Sequence, residues 1–148
     1  MSIAIGADEA GYFLKEKIKE YLVKLGEQVE DFGVYDTNPV LYPDVAHKVA
    51  ASVAEGKHPR GILICGTGIG MAITANKVPG IRAAVCHDSY STERSRKSND
   101  CQIMTMGSRV IGEELAKNLV KIWLESEFQG GGSTAKVKRI SEIEKMHR

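Results

Sequence analysis

The stretch ILICGTGIGMAITANK, from Ile62 to Lys77, decides the fold. Four residues, Ile62, Leu63, Ile64 and Cys65, form an apolar run. It meets three glycines in five positions, Gly66, Gly68 and Gly70, and a helix-like segment then opens. Strand, tight turn and helix in that order make one βα unit. Glycines in such a turn let another group approach the backbone closely. Three roles are open for it: a nucleotide cradle, a plain turn, or the wall of a catalytic pocket with Cys65 as its reactive group.

Working outward, the same alternation repeats. Ser2 to Gly6 is a strand candidate. Behind it Leu14, Ile18, Leu22 and Leu25 fall at helical spacing and stop near Gly26. Gln28 to Phe32 reads as a second strand, and DTNPVLYPD (Asp36 to Asp44) as a loop broken by two prolines. Asp44 can cap a helix running toward Gly56. Gly61 to Cys65 is the third strand, with a helix from about Gly70 to Lys77. Ile81 to Cys86 is the fourth strand, Ser89 to Ser98 a charged helix, and Gln102 to Met106 the fifth strand. Ile111, Leu115, Leu119 and Ile122 then mark an amphipathic helix, with Trp123 at the edge of its stripe. After Gly130-Gly131-Gly132, the residues Val137, Ile140, Ile143 and Met146 recur every three positions on a polar segment. That C-terminal helix must bury its stripe against a partner subunit or on its own domain. Strands alternating with helices predict an α/β fold, one open, doubly wound parallel sheet within a single domain over residues 1–148.

Composition bounds the function. Twenty basic side chains against nineteen acidic ones leave a formal charge of +1, which offers no electrostatic case for nucleic acid or an anionic membrane. No apolar run approaches the ~18 residues of a membrane span. The start, MSIAIGADEAGY, lacks a basic n-region and reads as a strand, so no secretory signal is expected. Cys65, Cys86 and Cys101 are odd in number and widely spaced, which suits a reducing cytoplasm. With no CxxC pair and no HExxH, no dedicated metal site is expected.

In a parallel sheet every strand-end loop opens on one rim. That rim would collect Asp8 and Glu9, Cys65 to Gly70, His87 and Asp88, and Gly107 to Arg109. A dinucleotide fingerprint would need a third glycine where Met71 stands, and no GxxxxGK[ST] phosphate loop exists. The turn instead supplies backbone N–H groups at a helix N-terminus, suited to an oxyanion. Cys65 reads either as a buried strand-end side chain or, because it immediately precedes that terminus, where the helix dipole favours a thiolate, as a reactive group. Such a thiolate could attack a carbonyl or remove a proton from the carbon beside one. His87 reads either as a rim side chain without a role or as a proton-transfer group.

Together IAIGAD at the start, YPD at Tyr42 to Asp44, GILICGTGIGMAITANKVPGIRAAVC (Gly61 to Cys86), SND (Ser98 to Asp100) and GSRVIGEELAKNLV (Gly107 to Val120) cover nearly the whole chain. In that order they resemble the ribose-5-phosphate isomerase B family, which also includes the galactose-6-phosphate isomerase subunits. The resemblance implies a Rossmann-like three-layer α/β/α sandwich with a five-stranded parallel sheet and no nucleotide or other cofactor. It implies a homodimer or homotetramer with shared active sites, the C-terminal arm (130–148) reaching across. It also implies metal-independent interconversion of an aldose and a ketose phosphate through a cis-enediolate. Cys65 then matches the family's catalytic base, and Thr67 the hydroxyl that handles the O1 and O2 protons. Backbone N–H groups from Gly66 through Gly68 to Gly70 would hold the enediolate oxygen. Asp8 and Asn99 match polar contacts to the sugar, and Arg109 a phosphate contact.

Three positions depart from the family pattern. Ser98 stands where a histidine opens the furanose ring, and Glu9 replaces another histidine. The GGRH…R phosphate clamp reads GGGSTAK, so Gly132 and Lys136 replace two arginines. A tetrose 4-phosphate has its O4 esterified, cannot close a five-membered ring, and needs no ring-opening imidazole. The stretch HDSYSTERSRKSND (His87 to Asp100) also looks like family members of tetrose phosphate metabolism. The sequence is thus expected to belong to an isomerase that prefers erythrose and erythrulose 4-phosphates. The alternatives are an ordinary ribose 5-phosphate isomerase, with His87 or water opening the ring, and a sugar-phosphate-binding domain that has lost catalysis.

Overall fold

Five apolar runs too short for helices become strands, and the longer amphipathic segments between them become helices. In the computed structural model, which describes residues 1–148, the strands are β1 (Ser2–Ala7), β2 (Gln28–Asp31), β3 (Arg60–Cys65), β4 (Ala83–Val85) and β5 (Ile103–Gly107). The helices are α1 (Tyr12–Lys24), α2 (Tyr42–Ala54), α3 (Ile69–Asn76), α4 (Ser89–Lys97), α5 (Glu113–Glu125) and α6 (Gly132–Met146). All strand pairings are parallel, in the order β2-β1-β3-β5-β4. The chain leaves β1 for β2 on one side and returns to β3 on the other. That reversal makes the β1/β3 gap the point where such sheets bind ligands.

Every residue of β3 is buried, as expected for a strand covered on both faces. Ile62 and Ile64 point into one core with Ile18 and Leu22 of α1 and Leu119 and Trp123 of α5. Leu63 and Cys65 point into the other, with Val45 and Val49 of α2 and Met71 and Ala75 of α3. The result is the three-layer α/β/α sandwich with a Rossmann-like five-stranded parallel sheet. No helix is long and apolar enough to cross a membrane.

Four local expectations need correction. Asp44 does not cap α2: the helix starts at Tyr42 after Leu41, with Pro43 in its first turn. Proline's fixed φ suits the first helical turn, where its missing N–H costs no helical bond. Trp123 is not at the edge of the α5 stripe but fully buried, and the buried face is Ala116, Leu119, Val120 and Trp123. Leu115 is 42% exposed, because α5 is rotated to seat its largest side chain against the sheet. Leu25 likewise falls just beyond α1 and is exposed. The fourth strand is shorter than Ile81 to Cys86, since Arg82 turns its N–H to the side chain of Gln102.

The C-terminal helix α6 buries none of its residues. Ile140, Ile143 and Met146 remain exposed, and Glu144 Oε1 accepts the N–H of Gly80 at 2.8 Å.

Candidate active site

The carboxyl ends of β1, β3 and β5 meet at the chain-reversal point. Cys65 closes β3, 5% exposed, and its Sγ accepts the N–H of Gly68 at 3.1 Å. Gly68 adopts φ +76 and precedes α3, and a Cβ there would lie 2.9 Å from the Met106 backbone. Both conditions demand glycine. The turn is fastened from β5: the N–H groups of Ser108 and Arg109 donate to the carbonyls of Cys65 and Gly66 at 2.8 and 3.1 Å. Thr105 Oγ1 donates to the Gly68 carbonyl at 2.8 Å.

With its carbonyls fastened, the turn keeps several of its donors unengaged. The N–H groups of Gly66, Thr67 and Gly70 find no acceptor within the protein, while that of Ile69 reaches Thr67 Oγ1 at 3.2 Å. Unpaired N–H groups at the start of a helix, in the turn that follows a strand-end thiol, form an arrangement able to hold an oxyanion. The Arg109 guanidinium lies over Gly66, Nη1 standing 3.1 Å from where a Cβ would be.

Asp8 follows β1 and is 8% exposed, its Oδ1 accepting the Gly11 N–H at 3.0 Å. Burial pushes its carboxyl above the ordinary 3.8, Glu9 adds to the rise, and the Gly11 N–H and Arg109 oppose it. The segment beside it is anchored by Lys15, a fully buried lysine whose Nζ donates to Val34 O at 2.6 Å and to Asp31 at 2.7 Å. Val34 in turn donates its N–H to the Ala7 carbonyl at 2.8 Å, next to Asp8. Glu9 Oε2 accepts the Val40 N–H at 3.2 Å, so its carboxylate is tied to the loop.

His87 and Asp88 reach the same rim, each with a local bond. His87 Nε2 accepts the Gly107 N–H at 2.9 Å, leaving the ring proton on Nδ1, and burial lowers its pKa below 6.5. Asp88 caps α4 by accepting the Ser91 N–H at 2.7 Å.

Ser98 and Asn99 are not brought to this rim, and no hydrogen bond or ion pair ties Lys136 to it. Ser98 ends α4, and the carbonyl of Asn99 accepts Arg82 Nε at 3.2 Å just before β4 begins. In the sheet Cys65 pairs with Gly107, whereas Ile103, which follows this turn, pairs with Gly61. Four residue rises along the strand set the two levels apart by roughly 13 Å. Lys136 is exposed early on α6, and the segment leading to that helix is tied to the end of α4 by Gln129 N–H to Lys97 O at 3.1 Å.

One rim residue carried no role in the sequence reading. The Tyr42 ring covers Gly70 so closely that a Cβ there would lie 2.3 Å from its hydroxyl. The signal was the YPD segment, which reads as a proline-broken loop until the helix start puts Tyr42 beside the glycine turn.

The chain as a whole is similar to known sugar-phosphate isomerases. A profile of the ribose/galactose isomerase family matches residues 3–140. The chain is 56% identical to "D-erythrulose-4-phosphate isomerase" of Pectobacterium atrosepticum over 97% of this chain and 95% of that protein. It is also 56% identical to "Ribose-5-P isomerase B" of Listeria innocua over the full length of both. The solved structure of Clostridium thermocellum ribose-5-phosphate isomerase B superposes with a TM-score of 0.98 at 51% identity, covering all of both chains.

Proposed function

The chain belongs to the ribose/galactose isomerase family and is an aldose–ketose isomerase of sugar phosphates, and on that premise we propose that it works without a metal, through a cis-enediolate, with Cys65 as the base. One observation carries this reading: the turn after Cys65, whose Gly68 N–H reaches the sulfur, keeps the N–H groups of Gly66, Thr67 and Gly70 without an acceptor in the protein. Abstraction of a proton next to a carbonyl needs a base and an oxyanion site side by side. Cys65 Sγ takes the C2 proton, the C1 carbonyl electrons move to O1, and the amides hold the resulting charge. The Thr67 hydroxyl relays the proton between O2 and O1, and Cys65 returns its own to C1. Asp8 contacts the sugar hydroxyls and Arg109 the phosphate.

The remaining contacts come from a second copy of the chain in a homodimer or homotetramer. Ser98 and Asn99 are far from their own Cys65, Lys136 is exposed on α6, and the exposed Ile140, Ile143 and Met146 on the same helix offer a surface to be covered. Both observations support shared sites, with the arm 130–148 reaching across.

The substrate in this reading is a tetrose 4-phosphate. Ser98 supplies no imidazole, and His87 spends its only acceptor nitrogen on the Gly107 N–H, which leaves neither position with a free imidazole acceptor for ring opening. The relative from Pectobacterium atrosepticum carries that activity in its name. A second reading, ribose 5-phosphate, is favoured by the equal identity to the Listeria innocua protein. Comparing kcat/KM on D-erythrulose 4-phosphate, L-erythrulose 4-phosphate and ribose 5-phosphate separates them. The tetrose is expected to lead by about 10-fold or more, and Ser98→His should raise turnover of the pentose alone. A preference for the pentose in the unmodified protein would exclude the tetrose reading.

Cys65→Ala tests the base. Exchange of the C2 proton with solvent deuterium should fall by at least ~10²-fold, the range for loss of a general base, with the assembly state unchanged. Exchange near the unmodified rate would refute the role.

A further inference from the structure

The turn that carries Ser98 and Asn99 and the connection that leaves α5 toward the helix of Lys136 lie far apart in the chain, yet one buried guanidinium grips both. The Arg96 side chain is 8% exposed. Its Nη1 donates to Asp100 Oδ1 at 3.2 Å and to the Cys101 carbonyl at 2.8 Å, on the turn that begins with Ser98 and Asn99. Its Nε donates to the Ser126 carbonyl at 3.4 Å, and its Nη2 lies 3.7 Å from Glu127 Oε2, where the chain leaves α5 for α6. Arg60 braces the same point from β3, donating to the carbonyls of Trp123 and Ser126 at 2.6 and 2.9 Å and to Glu127 at 2.8 Å. The Asp100 backbone sits at φ +49, a left-handed conformation that needs support in a residue with a side chain. Arg96 and Arg82 both hold its carboxylate.

We propose that Arg96 is a positioning residue that locks the Ser98–Asn99 turn and the approach to α6 into one rigid donor element, which a second copy of this chain receives at its Cys65 rim. The proposal rests on the shared-site reading above. A planar fork is required, because no single ammonium point charge spans both segments. Loss of the fork would leave Cys65 and its oxyanion donors intact but blur the contacts delivered to the partner. A residue that merely supports its own subunit would instead lower the activity of that subunit's own site.

Mixed dimers distinguish the two. Chains bearing different affinity tags are co-expressed, and dimers holding one of each are isolated. The Arg96→Met homodimer should lose about 10-fold in kcat/KM, mainly through KM. In the dimer of Arg96→Met with Cys65→Ala, one site combines an intact Cys65 with an intact donor element, so activity should recover to about half that of the unmodified dimer. A parallel dimer of Lys136→Ala with Cys65→Ala tests sharing itself and should recover likewise. Recovery with Lys136→Ala but not with Arg96→Met overturns the proposal alone. Recovery in neither overturns shared sites and the proposal together, as does full activity of the Arg96→Met homodimer for the proposal. Should Arg96→Met not fold, Arg96→Lys keeps the charge without the fork and is held to the same outcomes.

Discussion

The imidazole of His87 accepts the N–H of Gly107 at 2.9 Å, and only the neutral ring can do so. Burial lowers the pKa of His87 below its ordinary 6.5 in the folded chain. Folding is therefore favoured fully above 6.5, and that contribution is lost as pH falls from 6.5 through the lower folded value. Urea denaturation across this window should show stability declining toward acid. His87→Gln, which keeps an acceptor without a titrating ring, should flatten the slope. Asp8 acts with the opposite sign: its raised pKa gives stability that is complete below 3.8 and is lost as pH rises through the folded value. At this scale Cys65 and its glycines were legible, since a strand-end thiol ahead of a glycine turn is a local pattern. Tyr42 was not, because its nearness to Gly70 depends on how α2 crosses the turn.

Among the elements, α5 shows the limit of periodicity. Leu115, Leu119, Val120, Ile122, Trp123 and Leu124 are all apolar, so the helix offers more than one candidate face, and only the sheet selects between them. The selected face seats Trp123 fully buried with Arg60 5.3 Å from its ring centroid. Trp123→Ala should cost about 3–5 kcal/mol, while Leu115→Ala on the exposed side should cost less than about 1 kcal/mol. Thermal and urea unfolding followed by circular dichroism measures both. β1 and β3 were legible as short apolar runs because they are covered on both faces. The start of α2 was misread because a proline that ends a helix elsewhere begins one here.

For the whole molecule, the open question of where α6 buries its stripe becomes a prediction about assembly. Ile140→Glu combined with Ile143→Glu should shift sedimentation from an oligomer toward the single chain and reduce turnover, while the circular dichroism of the sandwich persists. The edge of the sheet that carries Ser98 was not legible in the sequence, because it depends on β5 lying between β3 and β4. With shared sites, the separation of the Cys65 and Ser98 levels has a kinetic consequence. Each chain is in effect a reactant toward its own copy, so specific activity would cease to be constant at high dilution. Rate would then rise faster than linearly with added protein, and an assay begun by dilution would slow with time as chains part, long before any of them unfolds.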